Sequence, residues 1–185
     1  MVLIGSPRKG GNTDCLADAF LEGAAEAGAE TEKIYLDDYN IRPIGEVGDD
    51  FKTRVDLRAD DDWRRVMQRV LEADVLALGA PVYWQGVPAQ MKCFVDRWSA
   101  YYASDWLNKG MAGKVWVLLC PYGDPTSDQS KWVREPIKWW VERWRGKYAG
   151  DVSVSVSKKG AVADMPDVMA QARELGKHAV AAAGE

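Results

Sequence analysis

The chain has 185 residues, a length that suits a single domain, 1–185, with a sizeable core. Apolar residues make up 47% and charged residues 28%, as in a soluble globular protein, and a net charge of -4 weighs against a duplex nucleic-acid binder. No apolar run approaches the ~20 residues that span a bilayer. No secretory leader is recognisable, and three scattered cysteines without a CxxC pair argue for a reducing, cytoplasmic setting rather than a disulfide framework or thiolate metal site.

Strand-like and helix-like segments alternate from end to end. Met1–Ile4 reads as a short apolar strand. Asn12–Gly28 follows as a helix with Leu16, Ala17, Phe20, Leu21 and Ala24 at helical spacing, and Gly28 is its stop. Glu32–Leu36 is a second strand. The acidic run Asp60–Asp62 opens a helix carrying Trp63, Val66, Met67, Val70 and Leu71 on one side. Asp74–Ala80 is a third strand, and Pro88 starts a helix to about Tyr102. Lys114–Cys120 is a fourth strand. A helix covers much of 130–147, with Pro136 as an early break or restart. Val152–Val156 is a fifth strand, and Pro166 opens a last helix to about Ala183.

Five strands, each followed by a helix, imply a parallel sheet covered on both faces. VLI, DVLALGA and KVWVLLC are almost wholly apolar, as central parallel strands are, whereas VSVSVS alternates strictly and EKIYL partly, which suits edges. With strands two and five outermost, the order is 2-1-3-4-5, a flavodoxin-like three-layer sandwich.

In such a sheet ligands bind beyond the carboxyl ends of the strands, where the strand order reverses, here between strands one and three. The turn after strand one reads GSPRKGGNT. Its glycines permit close approach of the backbone, Ser6, Asn12 and Thr13 offer side-chain hydrogen bonds, and Arg8 and Lys9 add positive charge. The following helix points its free N–H groups and positive dipole end at an anion. The run matches neither the triphosphate loop GxxxxGK[ST] nor the dinucleotide loop GxGxxG, so a monophosphate is favoured. Taken alone, such a turn is more often an ordinary capped helix start. Its position after strand one and a second motif across the switch point shift the balance.

That second motif is APVYWQGVPAQMKCFVDRW, Ala80–Trp98, where Tyr83 and Trp84 could stack on a flat ring and backbone amides could bond its edge. Together, GSPRKGGNT and PVYWQGVPAQMKCFVDRW resemble the NAD(P)H-dependent FMN reductase and iron–sulfur flavoprotein-like branch of the flavodoxin-like superfamily. By that resemblance Ser6, Arg8, Asn12 and Thr13 hold an FMN phosphate. Pro81, Val82, Tyr83, Trp84 and Gly86 contact the isoalloxazine, and the loop after strand four, with Tyr122 and Gly123, closes the other side. The resemblance implies an FMN-dependent NAD(P)H oxidoreductase acting on a small-molecule acceptor (a quinone, nitroaromatic, azo compound or free flavin), assembled as a homodimer or homotetramer. No catalytic side chain is required, because the cofactor carries the chemistry. A flavodoxin-type electron carrier and a non-enzymatic binding protein on the same fold are the alternatives.

The iron–sulfur members carry a cysteine cluster after strand two, and here that stretch has no cysteine. Thiolates must hold such a cluster, so no iron–sulfur centre and no other metal site is expected. The insert 46–62 has seven acids against three bases and reads first as a solvated loop, second as a lid over the flavin. In KWVREPIKWWVERWRGKY, 131–148, Trp132, Trp139, Trp140 and Trp144 read as one broad face packing on the sheet or a partner subunit, in preference to a nucleic-acid patch. Trp98, Tyr101, Tyr102 and Trp106 read as core or as a dimer interface. Asp96 and Arg97 read as structural residues that pair or cap a neighbouring element, in preference to catalytic groups, the cysteines as small core residues, and His178 as an exposed position on the last helix.

Overall fold

The computed structural model describes residues 1–50, 56, 58 and 60–185. The remaining residues of the insert, and with them part of the solvated-loop and lid readings, lie outside the described residues. Five parallel strands, β1 Val2–Ile4, β2 Lys33–Tyr35, β3 Val75–Gly79, β4 Val115–Tyr122 and β5 Lys147–Ser155, form one sheet in the order β2-β1-β3-β4-β5. The expected flavodoxin-like topology is therefore the observed one. The helices are α1 Asn12–Glu26, α2 Trp63–Glu72, α3 Ala89–Asp96, α4 Asp105–Met111, α5 Lys131–Arg143 and α6 Pro166–Ala183.

Alternation along the strands divides the core in two. Val2, Ile4, Ala77, Val117, Leu119 and Val152 face α1 and α6, packing on Leu16, Phe20, Ala172 and Ala179. Leu3, Leu76, Leu78, Trp116, Leu118 and Cys120 face the other helices, against Trp63, Met67, Phe94, Trp98, Ile137 and Trp144. Burial of both faces explains why β1, β3 and β4 are continuous apolar runs. Only residues two apart share a layer, so β4 sends its valines to one side and Trp116 and Leu118 to the other.

Several boundaries differ from the sequence expectation. Strand β5 begins at Lys147, five residues earlier than Val152, because a register shift beside Trp116 and Val117 pairs them with Tyr148 and Gly150 and leaves Ala149 as the extra residue of a bulge. Gly150, at φ +132°, makes that bulge possible. The strict alternation starts only beyond it, which hid the front half of the strand. Strand β4 continues through Pro121 to Tyr122. The helix expected from Pro88 to Tyr102 is α3 followed by a tighter 3-10 segment, Arg97–Tyr101, and α4 follows as a separate helix capped by Ser104, whose Oγ accepts the Leu107 N–H at 3.2 Å.

Pro136 does not break α5. It lies on the exposed side, where the carbonyl that loses its partner can be solvated. The four tryptophans of this region do not form one face. Trp132 and Trp139, seven apart, share an exposed stripe, while Trp140 is half-buried and Trp144, just past the helix end, is buried. Residues 139 and 140 are one step, about 100°, apart around the axis, so a helix seated on the sheet separates them.

Candidate cofactor site

The carboxyl ends of β1, β3, β4 and β5 are held level by main-chain bonds that extend the sheet beyond its strands. Gly5 N–H donates to Gly79 O at 2.8 Å, Ala80 N–H to Leu119 O at 3.0 Å, Val82 N–H to Pro121 O at 3.3 Å and Val156 N–H to Tyr122 O at 2.7 Å. Four loops thus reach one edge of the molecule in fixed relative height. Between them lies a cleft of about 200 Å³ lined by Ser6, Arg8, Gly11, Asn12, Thr13, Pro81, Val82, Tyr83, Pro121, Tyr122, Gly123, Val156, Ser157 and Lys159. A larger cavity of about 750 Å³ lies at the opposite, amino end of the strands, around Met1, Thr31 and Asp74. It has no helix start facing it among those lining residues, so the chemistry points to the smaller cleft.

The cleft brings together most of the residues expected at a cofactor, and leaves Trp84 and Gly86 outside its lining. Ser6 and Thr13 are buried, Arg8 is exposed, and Ser6 Oγ accepts the Arg8 N–H at 3.3 Å. The turn closes with Gly11 N–H donating to Arg8 O at 3.1 Å around Gly10, whose φ of +66° few side chains tolerate. Helix α1 starts at Asn12 with no side-chain cap on its first amides. Those N–H groups have no acceptor within the helix and meet the cleft beside Ser6, Arg8 and Lys159, a donor set suited to a phosphate monoester.

Asn12 is turned to another task. Its Nδ2 donates to Lys158 O at 2.9 Å and Val156 O at 3.5 Å, and its Oδ1 accepts the Val162 N–H at 3.1 Å. It ties the turn after β1 to the loop between β5 and α6. Lys9 also faces away, bridged to Asp38 at 2.7 Å with its ammonium 4.9 Å from the Tyr35 ring.

Across the cleft, Tyr83 and Gly86 exchange two backbone bonds of 2.9 and 3.1 Å, closing a two-residue hairpin. Its central residues, Trp84 and Gln85, both have positive φ, +49° and +61°, a geometry normally left to Asn and Gly. The Tyr83, Gly86 and Val82 amides are therefore engaged within the protein rather than free to bond a ring edge, and Trp84 projects fully into solvent. Burial, and then the nearby Asp128 carboxylate, push the Tyr122 phenol above its usual range. Asp124 shapes its loop by accepting from Thr126 N–H at 2.8 Å and Thr126 Oγ1 at 2.6 Å.

Sequence reasoning missed the contribution of Val156, Ser157 and Lys159 to the cleft. A signal was present, for SKK follows the alternating strand directly, where ligand-facing loops of this fold class lie. It also missed that Arg97 anchors the acidic insert. Its guanidinium, fully buried, binds Asp56 at 2.5 Å and Asp61 at 2.6 Å and donates to Arg58 O at 3.0 Å and Arg42 O at 3.3 Å. Structural pairing was the expected role of Asp96 and Arg97, and the partners prove separate, since Asp96 bridges Lys92.

The profile of the NADPH-dependent FMN reductase family matches residues 1–126. The chain belongs to that family. It is 35% identical over 99 residues to the Bacillus subtilis protein YwqN, named as an NAD(P)H-dependent FMN-containing oxidoreductase, covering 53% of this chain and 50% of that one. An iron–sulfur flavoprotein of Archaeoglobus fulgidus is 31% identical over 138 residues, covering 75% of this chain and 61% of the other. The chain thus spans about half to three-fifths of the length of these curated relatives. Among solved structures, the Trp repressor binding protein from Bacillus subtilis superposes with a TM-score of 0.72 over 94% of this chain and 96% of that chain at 22% identity, a likeness of fold.

Proposed function

We propose that this protein is an FMN-dependent NAD(P)H oxidoreductase that passes reducing equivalents to a small acceptor. The observation that carries the reading is the convergence of the two family motifs, GSPRKGGNT and PVYWQGVP, on one cleft at the carboxyl edge of the sheet. Its donor set fits the group: uncapped first-turn amides, a buried serine hydroxyl and two cations for a phosphate, then proline, valine and tyrosine walls for a flat ring.

In this reading Ser6, Arg8 and Thr13 bind the phosphate with the amides of α1, and Lys159 adds charge from the far wall. Asn12 contributes by holding that wall in place. Pro81, Val82 and Tyr83 bound one side of the ring, while Tyr122 and Gly123 bound the other. In the hairpin the Trp84 and Gln85 amides remain outside its two-bond ladder, and Trp84 stands at the rim with Gly86 behind it. Bound FMN supplies hydride chemistry at its ring, so the protein has only to orient it and leave one face open. No acid or base side chain needs to act. An open, aromatic-edged cleft suits planar acceptors such as quinones, nitroaromatics, azo compounds or free flavin.

The three cysteines lie on separate elements, Cys15 in α1, Cys93 in α3 and Cys120 in β4, and the insert has none. Among the described residues no cluster of His, Cys, Asp or Glu could hold a metal ion. These facts support an FMN-only protein without the iron–sulfur centre that its archaeal relative is named for. The aromatic groove of about 340 Å³ between α3 and α5, with Trp139 and Tyr102 exposed, supports assembly as a homodimer or homotetramer. No helix among the described residues is long and apolar enough to cross a membrane, and a cytoplasmic location is proposed from the odd number and wide spacing of the cysteines.

The decisive experiment is to purify the protein, reconstitute it with FMN and follow NADPH and NADH oxidation with a quinone acceptor. Yellow protein that releases FMN on denaturation and turns over is expected. Colourless protein that cannot be reconstituted sinks the reading. FMN binding without bleaching by either nucleotide indicates the electron carrier instead. Light scattering after gel filtration reads the subunit number, with twice or four times the chain mass of 20.6 kDa expected.

A further inference from the structure

Behind the phosphate turn lies a second layer that does not line the cleft. Asp14, buried in the first turn of α1, has both carboxylate oxygens engaged. Its Oδ2 accepts the Gly10 N–H at 2.7 Å. Its Oδ1 accepts from Lys33 Nζ at 2.7 Å and Tyr35 Oη at 2.5 Å. Lys33 and Tyr35 sit two apart on edge strand β2, paired with Val2 and Ile4 of β1, so both reach the same side of the sheet. Lys33 also bridges the exposed Asp18 at 2.5 Å. The neighbours Asn12 and Thr13 line the cleft and Asp14 does not.

A carboxylate at a helix start is favourable on its own, but beside a phosphate dianion it repels the ligand the same helix end attracts. Its position therefore needs a purpose and a neutralising partner, and the structure supplies both. The Gly10 N–H is the amide of the residue at φ +66°, on which the shape of the turn depends. Burial raises the affinity of Asp14 for a proton, but bonds from Lys33, Tyr35 and the Gly10 amide outweigh it and keep the carboxylate ionised below the usual range.

We propose that Asp14 is the positioning residue of the phosphate turn: it fixes the turn through the Gly10 amide, and Lys33 neutralises its charge so that a phosphate monoester can bind beside it. The role rests on the FMN reading and deepens it, since it predicts a dependence on the phosphate and not on the ring. Riboflavin, which has the ring and lacks the phosphate, is the control.

Dissociation constants for FMN and riboflavin are to be measured by flavin-fluorescence quenching on the apoprotein of wild type, D14A, K33M and D14N/K33M. D14A is expected to weaken FMN about tenfold or more, the scale of one lost charge-assisted hydrogen bond, with riboflavin changed less than twofold. K33M, which keeps the Gly10 contact but bares the carboxylate, weakens FMN more at low salt than at high salt. D14N/K33M, which removes the buried charge beside the turn and leaves only the exposed Asp18 carboxylate, recovers most of the loss. K33M and the double variant carry the test if D14A does not fold. Equal losses for FMN and riboflavin, or no loss of FMN affinity in D14A and K33M, overturn the role while leaving FMN binding standing. A wild-type protein that binds neither flavin overturns the FMN reading and this role with it. Independently of any flavin, the hydrogen exchange of the Gly10 amide is expected to be faster in D14A than in wild type, and an unchanged rate overturns the brace.

Discussion

Arg97 is enclosed completely, and its two carboxylate partners are nearly so, with side-chain exposures of 3% for Asp56 and 1% for Asp61. Removing the cation strands two buried anions, so Arg97→Met is expected to cost roughly 3–5 kcal/mol, read by urea denaturation. Lysine cannot replace the planar fork that spans both acids and two carbonyls, and R97K should recover little of the loss. The pH dependence follows from Asp61. Burial pushes its carboxyl up, but bonds from Arg97 and the Arg42 and Trp63 amides prevail and hold it below the usual value. A carboxylate with a depressed folded pKa contributes stability above its unfolded pKa, about 4, and loses that contribution as pH falls toward the folded value. The stability gap between wild type and D61N should therefore be widest near neutrality and close below about pH 4. Trp84 makes the opposite case. It is fully exposed at φ +49°, so its side chain contributes nothing to the core while its backbone bears strain. Trp84→Gly should be neutral or stabilising by up to about 1 kcal/mol in Tm measurements, and any effect on turnover belongs to the rim of the cleft. Cys120 is the third residue-scale case. Burial pushes its thiol up to about 12, so in the folded protein a thiol reagent is expected to label Cys15 and Cys93 and spare it.

At the level of elements, the pair α1 and α6 shows how glycine decides packing. A Cβ on Gly23 would stand 1.9 Å from Arg173 O, and one on Gly176 would stand 2.1 Å from Phe20 O. The two helices meet backbone to backbone there, with Arg173 and Lys177 bridging Glu22 and Glu26 at the surface. Gly23→Ala and Gly176→Ala should each separate the helices and lower stability by about 1–3 kcal/mol, visible as a fall in Tm. Most elements were legible in the sequence because local pattern and burial agree. Leu16, Phe20 and Ala24 mark the inner face of α1, and the apolar runs mark the central strands. Where tertiary geometry overrides local pattern, legibility ended. A bulge at Ala149 conceals the start of β5, and Pro121 conceals the end of β4, although its carbonyl still accepts from Val82. Helix α4 has only Leu107 and Met111 buried within its seven residues, too few to show a period.

Across the whole molecule, the location of the candidate site was legible because fold topology fixes it: strand order reverses between β1 and β3, and both motifs sit there. What the chain could not reveal is which polar groups are already taken. Asn12 looks like a ligand residue in GSPRKGGNT and is bound to the loop 150 residues away. Arg97 in FVDRW carries no local mark of its distant partners Asp56 and Asp61.

The two-sided core has one more consequence. Every buried or half-buried tryptophan, Trp63, Trp98, Trp106, Trp116, Trp140 and Trp144, belongs to the layer of α2 to α5, and the layer of α1 and α6 holds none. Trp116 and Trp144 stack at 6.0 Å and 3°, with Trp98 edge-on to both. Emission from these buried indoles therefore watches one side of the sheet, while the side that carries α1 and α6 has no tryptophan to report it. An unfolding curve followed by tryptophan light speaks for the whole protein only if the helical far-ultraviolet signal, to which both sides contribute, melts at the same denaturant concentration.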